Sequence, residues 1–302
     1  MNKEFYENFN YKLYEPFGKK IILKEKFNEK RLIWILKNQN KFKKKMRPSL
    51  FKSNNSNPFN LAIEYLNNSK NGIFINRYDY FYQNKIGSLN SIYYSSLQNM
   101  TREIRNEIIK NMYYYLDIVN SHPTILNYIC NKFKIKHRFL NLYVNNREYI
   151  LNQISKKNKI DRDESKKLIL EILKGNDKYY YNLKYKSLYL DNFFKESQYI
   201  KNEISKKFKE FYKSVYFLRK ITDIEFNLKG EVQFLLLLTI ENHILMGICE
   251  YFKRNKLLKD TGILLYDGLL IPQNKNIIKL IPECEKFIYS NFGINIKLKI
   301  KN

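Results

Sequence analysis

Tyr113-Tyr114-Tyr115-Leu116-Asp117-Ile118-Val119-Asn120-Ser121-His122-Pro123 opens as a nearly continuous apolar, β-rich run around one aspartate. Such a run predicts a buried strand over 113–118. Ser121 then fits an N-cap with Pro123 in the first helical turn, and Ile125, Leu126 and Ile129 continue a helix. A second stretch is built the same way. Gly262-Ile263-Leu264-Leu265-Tyr266-Asp267-Gly268-Leu269-Leu270 predicts strand–turn–strand over 264–271, with Asp267-Gly268 favouring a tight hairpin. Each stretch carries one carboxylate at a strand end.

Between them, Asp161 and Glu164 form a capping-box pattern, and Gly175 stands where a C-terminal cap belongs. The helix they bound has Leu168, Ile169, Ile172 and Leu173 on one face. Arg162, Lys166, Leu170 and Lys174 advance along the adjoining stripe. Two strand-end carboxylates can hold divalent cations, and a cationic helix can hold a triphosphate. Taken singly, Asp267-Gly268 also reads as a plain hairpin, Asp117 as a cap, and Arg162 with Lys166 as a solvated face.

The charge is lopsided: 55 Lys and Arg against 29 Asp and Glu, a net +26 that calls for a polyanionic partner. AT-rich coding inflates lysine too, but a phosphate feels the charge whatever its origin. Hydrophobic content of 44% excludes wholesale disorder. Cys130, Cys249 and Cys284 are far apart, which argues against a disulfide framework or zinc module and for a reducing compartment. Residues 1–30 mix charges throughout, unlike a signal peptide. The apolar run 234–240 breaks at Glu241, too soon to span a bilayer, and no amphipathic basic helix or lipidation signal supports a membrane-surface protein, so no membrane partner is expected.

Residues 1–72 read as a basic preface of unknown role, with the Asn/Ser-rich stretch 52–57 before Pro58 as the best boundary. The run Lys43-Lys44-Lys45-Met46-Arg47-Pro48 either touches phosphates or is solvated. Further predictions are a helix over 100–112 with Arg102 and Arg105 off its apolar face, a long apolar helix over 231–252, an amphipathic helix over 277–290 and an edge strand over 294–300.

In order and spacing these motifs resemble family A DNA polymerases and the phage-type single-subunit RNA polymerases, most closely the transposon–virus polymerase branch. Asp117 with Asn120-Ser121-His122-Pro123 is similar to motif A of that branch. Arg162, Lys166, Leu170, Lys174 and Gly175 match motif B in spacing, and Tyr266-Asp267-Gly268 resembles motif C. Gly87-Ser88-Leu89 and Ser96-Leu97-Gln98-Asn99-Met100 resemble a segment upstream of motif A. The likeness covers about residues 75–302.

The resemblance implies an α+β fold: a right-hand polymerase palm, an antiparallel sheet backed by helices, with helical fingers over about 135–230 in a unit of 73–302. It implies Asp117 and Asp267 as catalytic ligands of two Mg²⁺ or Mn²⁺ ions, and Arg162, Lys166, His122 and Lys174 as nucleotide-binding. Arg102, Arg105 and Gln233 would contact nucleic acid. The implied partners are a DNA primer–template or an RNA primer, nucleoside triphosphates and a separate helicase. The implied location is inside the cell at a replication site, in cytoplasm, virus factory or organelle, serving a virus, plasmid or mobile element. Leu170 and Lys174 depart from the aromatic and tyrosine of motif B, His122 replaces a glutamate, Ser88 an arginine, and Gly268 removes a third carboxylate.

Blander readings stand beside these. His122 touches nucleotide or caps a helix. Arg102 and Arg105 hold template phosphates or lie on a solvated face. Gln233 reads the minor groove or opens a helix. Glu241 and His243 form a core pair or face the site, and Tyr179-Tyr180-Tyr181 packs in the core or stacks on bases. The rival for the whole chain is a non-catalytic nucleic-acid-binding scaffold or initiator on a degenerate palm.

Overall fold

The computed structural model describes residues 9, 13–47, 57–82, 86–220 and 227–301. The chain runs through β1 (Ile21–Lys26), α1 (Glu29–Lys37), α2 (Gln39–Lys43), α3 (Pro58–Asn67), β2 (Ile73–Tyr82), β3 (Ile86–Ser91) and α4 (Arg102–Ile108). Then come β4 (Tyr113–Ile118) and a wholly helical stretch: α5 (Ser121–Lys132), α6 (Arg138–Asn145), α7 (Arg147–Asn158), α8 (Arg162–Lys174), α9 (Lys178–Tyr181), α10 (Leu188–Lys207) and α11 (Lys209–Lys220). The long α12 (Leu228–Arg254) leads to β5 (Ile263–Leu265), β6 (Gly268–Pro272), α13 (Lys275–Phe292) and β7 (Leu298–Lys301).

Two antiparallel sheets result, one ordered β1-β2-β3 and one ordered β5-β6-β4-β7. The period of two along β4 divides its side chains between two cores. Leu116 and Ile118, with Leu264, Leu269 and Ile271, pack with α12 and α13. Tyr113, with Ile263, Leu265 and Leu270, packs with α1, α3 and α4. Helix α12 is apolar nearly all round because it lies between elements rather than on the surface. It has the length and composition of a membrane span, yet 89% of its most apolar window is buried inside the protein.

Part of the stretch before 73 is joined to the sheet that follows it. β1 pairs with β2 along its whole length, from Ile21 opposite Tyr78 to Lys26 opposite Ile73. Its lysines and glutamate hid it: Glu25 points inward, where partners satisfy it. The expected boundary at 52–57 lies outside the described residues except for Asn57, whose side chain accepts from Phe59 N and caps α3. Within the basic run, Arg47 pairs with Glu103 at 2.7 Å, and Pro48 lies outside the described residues.

Helix α8 starts and stops as predicted. Asp161 and Glu164 make both bonds of the capping box, and Gly175 closes the helix with φ 87°. The start of α5 differs: Asn120, in the left-handed region, takes the N-cap position and Ser121 is the first helical residue. Asparagine tolerates that conformation better than most side chains.

Candidate active site

Asp117 sits on β4 directly opposite Gly268 of β6, and Ile118 N donates to Asp267 O at 3.4 Å. Register thus brings the two aspartates together across 150 positions of chain. The turn that presents Asp267 is Tyr266–Asp267, with Leu265 paired to Gly268. The expected Asp267-Gly268 turn is therefore displaced by one residue. Tyr266, at φ 32°, takes the strained position. Gly268 serves a different need: a Cβ there would meet Tyr115 Cε2 at 2.4 Å and Leu116 O at 2.7 Å. The Tyr115 ring fills the space that a side chain at 268 would enter.

The Tyr115 hydroxyl approaches Asp267 Oδ1 at 3.5 Å and also interacts with Asp117. Cross-strand register and the effect of the Asp117 charge on Asp267 place the two carboxyl groups in one cluster. Burial raises the Tyr115 pKa, and the Asp267 and Asp117 charges add to the rise. The Asp267 carboxyl is pushed up to about 6, first by burial and then by the charges of Glu241 and Asp117. Asp117 is buried; Lys301 Nζ lies 2.7 Å from its Oδ2, while Oδ1 is buried with no hydrogen-bond partner. An orphaned carboxylate oxygen beside a second, electrostatically strained carboxyl fits a hard divalent cation. Among the described residues, no group of three or more His, Cys, Asp or Glu side chains is arranged to hold a metal ion. Phosphate oxygens and water would complete the coordination, as is usual for Mg²⁺.

Lys166 is half-buried on α8 and within electrostatic reach of both aspartates. Burial lowers its pKa, the positive charges of Arg147 and Lys301 lower it further, and Asp117 and Asp267 oppose the fall. Arg162, one turn earlier, is turned to α7 instead: its Nε and Nη2 donate to Glu148 at 2.8 and 2.6 Å. Lys174 pairs with Glu171 at 3.3 Å and lies over the Phe234 ring. His122 meets the same ring edge-on and places Nε2 3.4 Å from Glu241 Oε2. Glu241 is buried, has His122 as a partner, and acts electrostatically on Asp267.

The residues expected on nucleic acid divide. Arg102 is exposed at the start of α4. Arg105 is largely buried beside Tyr115 and Tyr266, donates to Leu97 O at 3.3 Å, and has its pKa lowered chiefly by burial. Gln233 is wholly buried, and its Nε2 donates to Leu173 O at 2.6 Å. That bond satisfies a carbonyl at the open end of α8, so Gln233 joins two helices in the interior rather than standing on a groove surface. Tyr180 packs face to face on Phe194 at 4.0 Å, the packing alternative, whereas Tyr181 is exposed. The two upstream segments meet through Gln98, which accepts from Ser91 N and donates to Leu89 O.

Sequence reading missed Lys301 and Tyr115, and left Glu241 undecided. Lys301 is opposite Tyr115 in the β4–β7 register, a pairing that no local pattern announces.

No family model matches this chain. A Sputnik virophage protein named "Putative helicase V13" is 32% identical over 254 residues, which is 80% of this chain. The match covers 32% of that protein, so the chain spans about a third of its relative's length. Among solved structures, the POL domain of Pol1 from M. smegmatis, in complex with DNA primer–template and dNTP, superposes with a TM-score of 0.51. It covers 80% of this chain and 50% of that one at 11% identity. The chain thus has an α+β fold similar to a DNA polymerase domain.

Proposed function

We propose that this chain is a template-directed nucleotidyltransferase core, with β4, β5, β6 and β7 as the palm sheet and the helices α6 to α11 supplying the fingers. The observation that carries the reading is the meeting of Asp117 and Asp267 on neighbouring strands, with Lys166 within electrostatic reach of both. Two Mg²⁺ or Mn²⁺ ions held by these aspartates would stabilise charge on the attacking and leaving oxygens. Lys166 offers its ammonium to the triphosphate from a fixed helix, which limits reorganisation as charge shifts. Arg162 joins it once its guanidinium leaves Glu148, and Lys174 and His122 border the same space around Phe234. Arg102 lies on the surface where template phosphates can reach it.

The substrates are nucleoside triphosphates and a DNA primer–template, or an RNA primer, within the cell at a replication site. A separate helicase opens the duplex. The sequence contains no G-x-x-x-x-G-K-[ST] phosphate loop. We therefore assign the helicase of the virophage relative's name to the two thirds or so of that protein lying outside the match. The virophage origin of that relative supports replication of a virus or mobile element.

Primer extension on a defined template with Mg²⁺ tests this reading. The wild type should incorporate nucleotide, and Asp117→Ala and Asp267→Ala should abolish incorporation while keeping DNA affinity. A scaffold with a degenerate palm is the second reading, favoured by Leu170 and Lys174 in motif B and by the diversion of Arg162 to Glu148. Absence of synthesis by the wild type with every nucleotide and primer would establish it.

A further inference from the structure

The hairpin that presents Asp267 is thinly held. β5 is a three-residue edge strand with β6 as its neighbour in the sheet. Its middle N–H, from Leu264, points away from β6 and donates to the hydroxyl of Tyr78 on β2 at 3.2 Å. That hydroxyl is fixed from its other side. Glu25 on β1 is fully buried, and its Oε1 accepts from Tyr78 OH at 3.0 Å and from Asn76 Nδ2 at 2.6 Å. Its Oε2 accepts from Leu97 N at 3.1 Å. Leu264 N–H takes a lone pair of the Tyr78 oxygen, which leaves the hydroxyl proton to be donated to Glu25 Oε1. The same strand reaches both catalytic approaches. Lys24 N donates to Asp260 O, and Lys24 O accepts from Gly262 N, just before β5. Tyr113, four residues before Asp117, exchanges two hydrogen bonds between its hydroxyl and the Lys26 backbone.

We propose that Glu25 and Tyr78 are positioning residues for the candidate metal centre: through Leu264 they hold the Asp267 hairpin against Asp117. β1 is then a brace between the two aspartate-bearing strands. The inference rests on the nucleotidyltransferase reading for its effect on chemistry, but its structural part stands alone. A buried carboxylate is costly unless every partner is in place, which is a strong reason to find one where geometry must be exact to a fraction of an ångström.

The test uses the full chain with Tyr78→Phe, which keeps the ring and removes the link, and Glu25→Gln, which places an amide N–H against Leu97 N. Hydrogen exchange, Mn²⁺ binding followed by electron paramagnetic resonance, and primer-extension kinetics are measured on each, with thermal unfolding as a control. Tyr78→Phe should speed exchange of the Leu264 amide about tenfold or more while amides of α8 and α10 keep wild-type rates. It should weaken Mn²⁺ binding and lower kcat several-fold, with the nucleotide KM and DNA affinity within about twofold. Glu25→Gln should move the same quantities in the same direction. Wild-type exchange at 262–268 in a folded Tyr78→Phe protein overturns the brace. So does a loss spread evenly over exchange, KM and DNA affinity. A wild type that binds no Mn²⁺ and makes no product sinks the nucleotidyltransferase reading and with it the metal-positioning role, while the exchange data still decide whether the brace exists.

Discussion

Replacing Lys301 by methionine should destabilise the metal-free protein and tighten its grip on divalent cations. Lys301 Nζ lies 2.7 Å from Asp117 Oδ2, with the carboxylate side chain 8% exposed and the lysine 40% exposed. A hydrogen bond to a charged group contributes about 1.5–3 kcal/mol net. Solvent screening at the lysine end reduces that figure to about 1–2 kcal/mol. For a chain of this size that corresponds to a fall of roughly 2–4 °C in Tm. The sign reverses on adding metal. In the wild type a cation must displace the ammonium from Oδ2; in Lys301→Met it meets a carboxylate already free, with Oδ1 equally unpartnered. If the whole 1–2 kcal/mol is recovered, Mn²⁺ affinity should rise roughly 5–30-fold. Scanning calorimetry with and without Mg²⁺, alongside Mn²⁺ titration, reads both halves. A variant with wild-type Tm and wild-type or weaker Mn²⁺ binding would refute the competition.

Three further variants probe the same geometry. Lys166→Ala should raise the nucleotide KM and lower kcat/KM at least tenfold in primer extension. Glu148→Gln, which leaves the exposed Arg162 guanidinium held only by Asp163 at 3.3 Å, should instead lower KM while changing stability by less than about 1 kcal/mol; if KM is unmoved, release from Glu148 does not bring Arg162 to the nucleotide. Gly268→Ala drives a methyl group into Tyr115 Cε2 and the Leu116 carbonyl, and should cost about 1–3 kcal/mol by calorimetry. An unchanged Tm would show that the ring yields without cost.

What could be read from sequence was what lies within one element. The capping box of α8, its apolar face and its Gly175 stop are written in thirteen consecutive residues and their flanks, and all appear in the structure. Asp117 and Asp267 were legible because each interrupts an apolar run at a strand end. Local signals failed where a distant partner decides. Gln233 looks like a polar residue opening a helix, but Leu173 O turns it inward. β1 looks like solvated basic chain, but Asn76, Tyr78 and Leu97 N make room for its glutamate. Asp267-Gly268 looks like a turn dipeptide, but the glycine is spent on clearance for Tyr115, and the turn moves back to Tyr266.

These misread residues share a logic. Position 268 holds no third carboxylate, and Tyr115 fills the space where one would stand. Negative charge arrives from elsewhere: Glu241, on the long core helix, raises the Asp267 pKa. Asp117 is paired with Lys301, and Glu241 has His122 Nε2 3.4 Å from its Oε2. Among the described residues, Asp267 has no ion pair, and it carries the carboxyl pushed up to about 6. On the proposed two-metal reading, a divalent cation would relieve repulsion at Asp267 and would compete with Lys301 at Asp117. That imbalance is why the stiffness of the Asp267 hairpin, and with it Tyr78 and Glu25, matters more to this site than the rigidity of β4, which is hydrogen-bonded on both edges.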